Sequence, residues 1–215
     1  MPLRNFDLAV LEERRPALLL GVDEAGRGPL AGPVTACAAW VPLSAHPLIA
    51  PLVNDSKKLS PKKRDKAFEL MLASGVRFGF GFAHCGEIDR VNILEATFNA
   101  MGAAVRRLLF YLGAPASGAL VLVDGPHRIK RLEECAQEPV VDGDSLSLSI
   151  AAASIFTKVL RDRWMNVLDL CHPGYGLAGH KGYGTARHLE ALSRLGPCPQ
   201  HRRSFSPVAR AGAAR

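Results

Sequence analysis

Two adjacent acids, Asp23 and Glu24, follow the apolar run at residues 18–22 (LLLGV). Carboxylates placed in apolar surroundings are costly unless they are paired or bind a metal. A third acid, Asp124, ends the apolar run at residues 119–123 (ALVLV) and precedes Gly125-Pro126. Asp144 stands in Gly143-Asp144-Ser145, at the start of a helical pattern. In open α/β sheets, sites form beyond the carboxyl ends of strands, so these acids are candidates to converge. Neighbouring residues in a regular strand face opposite sides. Gly26 and Gly28 follow at once, however, and let the backbone bend, so that both carboxylates, or one carboxylate and a carbonyl, face one site. An all-oxygen donor set suits Mg²⁺ or a similar hard cation. Two such ions, roughly 3.5–4 Å apart, deprotonate a water and stabilise a leaving oxygen, which is what phosphodiester hydrolysis needs. A cluster of three or four carboxylates among Asp23, Glu24, Asp124 and Asp144 would meet that need. Two plainer roles stay open: a helix N-cap at Asp144 or Ser145, and a simple turn at Asp124-Gly125-Pro126.

The elements that must position these acids can be traced in the pattern. Residues 17–23, 33–41, 75–84 and 119–123 read as strands, the last as one buried on both faces. Ser60-Pro61 supplies an N-cap and a first-turn proline for a helix that Gly75 closes. Leu94, Phe98, Met101, Val105, Leu108 and Leu112 recur at spacings of three and four and predict a long amphipathic helix over roughly 88–112. A second long helix is expected from about 145 to 170, and a shorter one over 185–195. Strands followed by helices in this order predict an α/β fold with a mixed central sheet and a helical C-terminal part. One domain is expected over 1–215, with an ordered core at about 17–205 and a flexible tail over 206–215.

At 215 residues with 48% hydrophobic content, the chain is long enough to bury a full core. It has no apolar run of membrane-spanning length and no apolar leader, so no membrane partner is expected. Its five cysteines are widely spaced, with no C-x-x-C pair, which argues against a disulfide framework or a zinc site and for a reducing, cytoplasmic setting. The net charge of +7 suits a polyanionic partner. Lys57, Lys58, Lys62, Lys63 and Arg64 form one basic cluster. Beyond Glu190 the chain carries five arginines and no acid.

The loop Gly26-Arg27-Gly28-Pro29-Leu30-Ala31-Gly32-Pro33 is neither a Walker A sequence nor a dinucleotide fingerprint, since no Gly-Lys-Ser/Thr follows and a strand comes next. Together with Asp23-Glu24-Ala25, it resembles the opening signature of bacterial type 2 ribonucleases H. Further matches follow in family order: residues 54–60 (NDSKKLS), Glu87-Ile88-Asp89, Val123-Asp124-Gly125, Gly143-Asp144-Ser145 and residues 152–155 (AASI). Residues 180–185 (HKGYGT) and 201–205 (HRRSF) complete the series. The matches run from residue 18 to about 208.

The resemblance implies a ribonuclease H-like fold and four metal-binding carboxylates at Asp23, Glu24, Asp124 and Asp144, holding two Mg²⁺ or Mn²⁺ ions with substrate bound. It implies that Gly26-Arg27-Gly28 read the 2′-hydroxyl of a ribonucleotide, that Tyr183 stacks on the neighbouring sugar, and that Lys57, with Lys58 beside it, lies near bound phosphates. The implied substrates are RNA–DNA hybrids and duplex DNA containing single ribonucleotides, cut to leave 3′-hydroxyl and 5′-phosphate ends by a monomeric enzyme. Backbone groups of a glycine loop can serve a 2′-hydroxyl, which is both donor and acceptor, and an enzyme indifferent to sequence should grip phosphates and shape rather than base edges. His180 and His201 are left without a role. The type 3 relatives carry an extra N-terminal domain and usually lack arginine in this loop. This chain has Arg27 and about 16 residues before its first strand. No clamp-binding Gln-x-x-aliphatic-x-x-Phe-Phe sequence is present in its tail. The competing readings are a type 3 or other metal-dependent nuclease, and a non-catalytic nucleic-acid-binding module.

Overall fold

Five strands form one mixed sheet in the order β3-β2-β1-β4-β5 in the computed structural model, which describes residues 3–53 and 59–213. Strand β1 (Leu18–Ala25) runs antiparallel to β2 (Val34–Trp40), which pairs antiparallel with β3 (Arg77–Ala83). On its other side β1 runs parallel to β4 (Ala119–Asp124), and β4 parallel to β5 (Ala136–Val140). Most of β1, β2 and β4 is buried, as expected for strands covered on both faces.

Helix α5 (Ile93–Leu112) covers one face, packing Met101, Val105 and Leu108 against Leu20, Val22 and Val121. Helix α6 (Leu148–Cys171) covers the other, with Phe156 stacked on Phe78 at 4.4 Å between centroids. Its first turn lies directly on β1: a Cβ at Gly21 would stand 2.2 Å from the Ile150 backbone nitrogen. Only glycine permits that approach, and it brings the next turns of α6 over the acidic end of β1. Around α6 lie α1 (Leu3–Arg14), α2 (His46–Val53) and α3 (Pro61–Ala73). Asp7 of α1 is buried and accepts from the Ser149 backbone N–H (2.9 Å) and hydroxyl (2.6 Å), tying α1 to the start of α6.

Several elements differ from expectation, beginning ahead of the core expected from about residue 17, where α1 packs with Leu3, Asp7 and Val10 buried. The helix expected over 88–112 is two helices, α4 (Cys85–Val91) and α5, broken at Asn92. Asn92 takes φ +73° with ψ 166°, a strained backbone outside the left-handed helical well, and its side chain accepts from the Leu94 and Glu95 N–H groups, capping α5. Strand β5 was not foreseen because Pro139 interrupts its pattern, yet β5 is a sheet edge, where proline is accommodated. The tail expected to be flexible from Ser206 instead forms α9 (Ser206–Ala213), whose Val208 is buried against Leu30 and Leu192. Two more C-terminal helices, α7 (Leu177–His180) and α8 (Ala186–Leu195), complete this part. Among the described residues no helix is long and apolar enough to cross a membrane.

Candidate active site

The parallel register of β1 and β4 aligns Val22 with Val123, so Asp23 and Asp124 stand side by side where the pairing of these two strands ends, β1 running on to Ala25 beside β2. Asp23 is buried, and its Oδ1 accepts from the Glu24 backbone N–H at 2.7 Å. Burial holds the Asp23 carboxyl well above the usual range, and the negative charges of Glu24 and Asp124 push it further, against a hydrogen bond from Ser154. Glu24 is also raised, first by burial and also by Asp124, while the Arg27 guanidinium 3.3 Å away opposes the shift. Asp23, Glu24 and Asp124 thus feel one another as like charges.

Asp144 joins through its backbone. It lies in a single 3₁₀ turn, Gly143–Ser145, and its N–H donates to Asp124 Oδ1 at 3.3 Å. Its own Oδ1 accepts from the Ser145 hydroxyl at 3.3 Å. The N-cap of α6 is Ser147, which accepts from the Ile150 N–H, so the capping role left open for Asp144 and Ser145 belongs to neither. The turn left open after Asp124 is real: Gly125 has φ +92° and its N–H reaches the Val140 carbonyl at 2.9 Å. It ends the strand without removing Asp124 from the cluster. Among the described residues, no three His, Cys, Asp or Glu side chains are gathered tightly enough to enclose an ion as they stand. The donors present are carboxylate oxygens, and Asp23 is crowded by like charges in the way a divalent cation relieves. The residues fit a hard cation on both counts.

Beside Glu24 opens a cleft of about 240 Å³, lined also by Arg64, Ser154, Thr157 and Lys158. Arg64 and Lys158 both lean on Asp162, at 3.6 and 2.9 Å. Arg64 is the end of the basic cluster seen in the sequence. Ser154 stood in the sequence only as part of the motif at residues 152–155, with no signal that one turn of α6 would place it and Lys158 together at the cleft. Lys57 and Lys58 lie outside the described residues.

The loop from Gly26 to Pro33 is shaped by two arginines that sequence reasoning missed. Arg161 and Arg202 are 1% and 0% exposed. Arg202 donates to the carbonyls of Gly26 (2.6 Å), Arg27 (2.8 Å) and Gly32 (2.9 and 3.1 Å). Arg161 donates to those of Pro33 (3.2 Å), Ala31 (3.5 Å) and Lys181 (3.1 Å). Burial lowers both guanidinium groups, Arg202 to about 10. Arg202 is one of the five arginines beyond Glu190, yet it is an internal clamp, while Arg203 is exposed. Because a trans peptide sets N–H opposite C=O, drawing the Gly26 and Arg27 carbonyls inward turns the Arg27 and Gly28 N–H groups to the other, exposed side of the loop. Gly26 has φ +92°, and a Cβ there would lie 2.0 Å from Arg161 Nε.

Tyr183, 46% exposed, comes to the same place: a Cβ on Gly28 would stand 3.7 Å from its ring. The structure therefore brings Asp23, Glu24 and Asp124 together at the strand ends, Asp144 against Asp124, and Tyr183 against the glycine loop that leaves β1.

A family model described as Ribonuclease HII matches residues 20–208. The chain is 51% identical over 206 residues to Ribonuclease HII of Acidovorax sp. (strain JS42), covering 96% of this chain and 93% of that one. The crystal structure of ribonuclease H2 from Pyrococcus horikoshii OT3 is similar with a TM-score of 0.73 and 25% identity, over 91% of this chain and 97% of that one. Bst-RNase HIII in complex with Mn²⁺ shares the fold, with a TM-score of 0.74 at 22% identity, over 92% of this chain and 70% of that one.

Proposed function

Because the chain belongs to the ribonuclease HII family, whose members are endoribonucleases acting on RNA–DNA hybrids, we propose that its site cuts next to ribonucleotides, including single ones embedded in duplex DNA. The observation that carries this reading is the meeting of Asp23, Glu24 and Asp124 at two parallel strand ends, beside a loop whose N–H groups face outward and against which Tyr183 rests.

The carboxylates of Asp23, Glu24, Asp124 and Asp144 would hold Mg²⁺ or Mn²⁺, ions that when bound deprotonate a water and stabilise a leaving oxygen. The remaining residues bind and orient. The outward Arg27 and Gly28 N–H groups meet the 2′-hydroxyl, which only the ribonucleotide carries. Tyr183 stacks on the adjoining sugar. Arg64 and Lys158, with Lys57 and Lys58, attract the phosphates without reading bases. Arg27, 3.3 Å from Glu24, steadies that carboxylate in the free protein. The products carry 3′-hydroxyl and 5′-phosphate ends. We take the chain to act as one catalytic domain and a monomer, in the cytoplasm, in removing ribonucleotides and RNA primers from DNA.

The test is a panel of hybrid, all-DNA and all-RNA duplexes with Mg²⁺, Mn²⁺ or chelator. Cleavage confined to the RNA strand of the hybrid, and only with metal, is expected. Equal cutting of all-DNA duplex would favour another nuclease of this fold, and binding without cleavage in any metal would favour a binding module.

A further inference from the structure

Three histidines with no role in the reading above form a continuous chain that ends on Tyr183. The Cys198 backbone N–H donates to His201 Nδ1 at 3.0 Å. His201 Nε2 lies 3.1 Å from His188 Nε2, and His188 Nδ1 lies 2.9 Å from the Tyr183 carbonyl oxygen. The protons in this chain can be assigned from its two ends. At one end the Cys198 backbone N–H points at His201 Nδ1, and the Cys198 thiol 3.2 Å away can donate to it as well, so that nitrogen is bare and the ring's proton sits on Nε2. At the other end a carbonyl oxygen only accepts, so His188 carries its proton on Nδ1 and accepts at Nε2. The two assignments meet without conflict: His201 Nε2–H donates to His188 Nε2. A second proton on either ring would set two N–H groups head to head. Burial supports the neutral forms, lowering His188 and taking His201 to about 4.

His180 extends the device. It stacks on His188 with centroids 4.3 Å apart and planes 16° from parallel. Its Nδ1 accepts from the Gly182 N–H at 3.2 Å, and its Nε2 lies 2.9 Å from the Tyr175 carbonyl. By the same logic its proton is on Nε2. The Tyr183 backbone is held from every side: its N–H donates to the His180 carbonyl (2.9 Å), and its carbonyl accepts from both Thr185 N–H (2.8 Å) and His188. Gly182 O, one residue earlier, accepts from the Leu30 N–H of the glycine loop at 2.8 Å.

We propose that His188 and His201 are positioning residues: a single-tautomer relay that fixes the backbone of Tyr183 so that its ring stands ready beside Gly28 to meet the ribonucleotide's sugar. The physical need is clear. Tyr183 is exposed and lies between two glycines, so without a fixed backbone each stacking event would have to order the turn as well as the ring. The proposal rests on the reading of Tyr183 as a sugar contact. A tight grip matters most where one ribonucleotide is the only RNA feature present, and least on a long hybrid that offers many equivalent registers.

The first test needs no substrate. Full-length protein labelled with ¹⁵N-histidine is recorded at neutral pH for the ring nitrogens. The relay predicts His188 as the Nδ1–H form, the less common neutral tautomer, with His180 and His201 as Nε2–H. Finding His188 as Nε2–H, or either His188 or His201 doubly protonated, overturns it. The second test compares His188→Phe, which keeps ring volume and the stack on His180 but loses both hydrogen bonds, with His188→Asn, which keeps a donor at the Nδ1 position. On a single-ribonucleotide duplex, His188→Phe is expected to raise KM about tenfold, the worth of the one lost hydrogen bond that reaches Tyr183. Its kcat should change little and its effect on a long hybrid should be smaller, while His188→Asn recovers most of the loss. Equal losses on both substrates, or no recovery with asparagine, contradict the positioning role. If the wild-type protein leaves single-ribonucleotide duplexes uncut, the reading of Tyr183 falls, and the spectrum still decides whether the relay exists.

Discussion

Replacing Asp124 by asparagine should make the metal-free protein more stable and the enzyme nearly inactive. Asp124 pushes up both Asp23 and Glu24. Asparagine has the same shape, and its Oδ1 can still accept the Asp144 N–H now held at 3.3 Å. The substitution therefore removes one negative charge from a crowd and leaves the hydrogen bond. A neighbouring like charge shifts a carboxyl by on the order of one pKa unit, worth about 1.4 kcal/mol. With Asp124 half-buried and feeling two partners, the relief in chelator at neutral pH is about 1–2 kcal/mol. For a chain of this length that raises Tm by roughly 2–8 °C. A ligand that helps an ion stabilise transition-state charge contributes several kcal/mol, so turnover should fall by about 10²–10³-fold. Melting curves with chelator, then with Mg²⁺ or Mn²⁺, accompany the kinetics: metal should raise the wild-type Tm by mass action and leave the variant nearly unmoved. A variant that keeps near-normal turnover, or that melts below wild type in chelator, would refute the reasoning.

Gly26→Ala combines positive φ with a Cβ 2.0 Å from Arg161 Nε; a loss of about 2–4 kcal/mol is expected in urea unfolding, with cleavage impaired beyond what the remaining folded fraction explains. Arg202→Leu would leave the inward carbonyls of Gly26, Arg27 and Gly32 without their donor; about 3–5 kcal/mol should be lost, and a fully stable variant would show that the clamp is dispensable. The raised Asp23 carboxyl gives a pH signature with a definite sign. Its folded-state pKa lies above the unfolded value of about 4, so its contribution to stability is full below that value and is lost as pH rises through the raised pKa. In chelator, the Tm advantage of Asp23→Asn over wild type should therefore grow as pH rises from about 4, and a constant difference would count against a crowded Asp23.

The reach of sequence reasoning followed the physics of each signal. Asp23 and Asp124 were legible because a carboxylate at the end of an apolar run breaks a strong pattern, and the parallel register then set them side by side. The glycine loop was legible from its composition. What shapes that loop was not: an arginine in a helix such as α6, or in an arginine-rich tail, reads as a solvated charge, and only three-dimensional packing shows Arg161 and Arg202 turned inward onto carbonyls. The histidine chain was hidden for the same reason, since His180, His188 and His201 come from separate segments. Strand β5 was missed because Pro139 argues locally against a strand that the sheet edge accommodates, and the break at Asn92 because residues 88–112 were read as one run although Asn92 is a natural helix cap. Asp144 was singled out in the sequence, but its link to Asp124 runs through a backbone N–H that no side-chain pattern reports.

The central claim is that this acidic cluster cuts beside a 2′-hydroxyl, and the position of the cut tests it most directly. An end-labelled DNA duplex carrying one ribonucleotide is incubated with Mg²⁺, Mn²⁺ or chelator and its fragments are sized. The account predicts a single metal-dependent cut on the 5′ side of the ribonucleotide, leaving it on the 5′ end of the downstream fragment. No cut there, alongside cutting of longer hybrids, would contradict the roles given to Arg27 and Tyr183 and point to a type 3-like specificity.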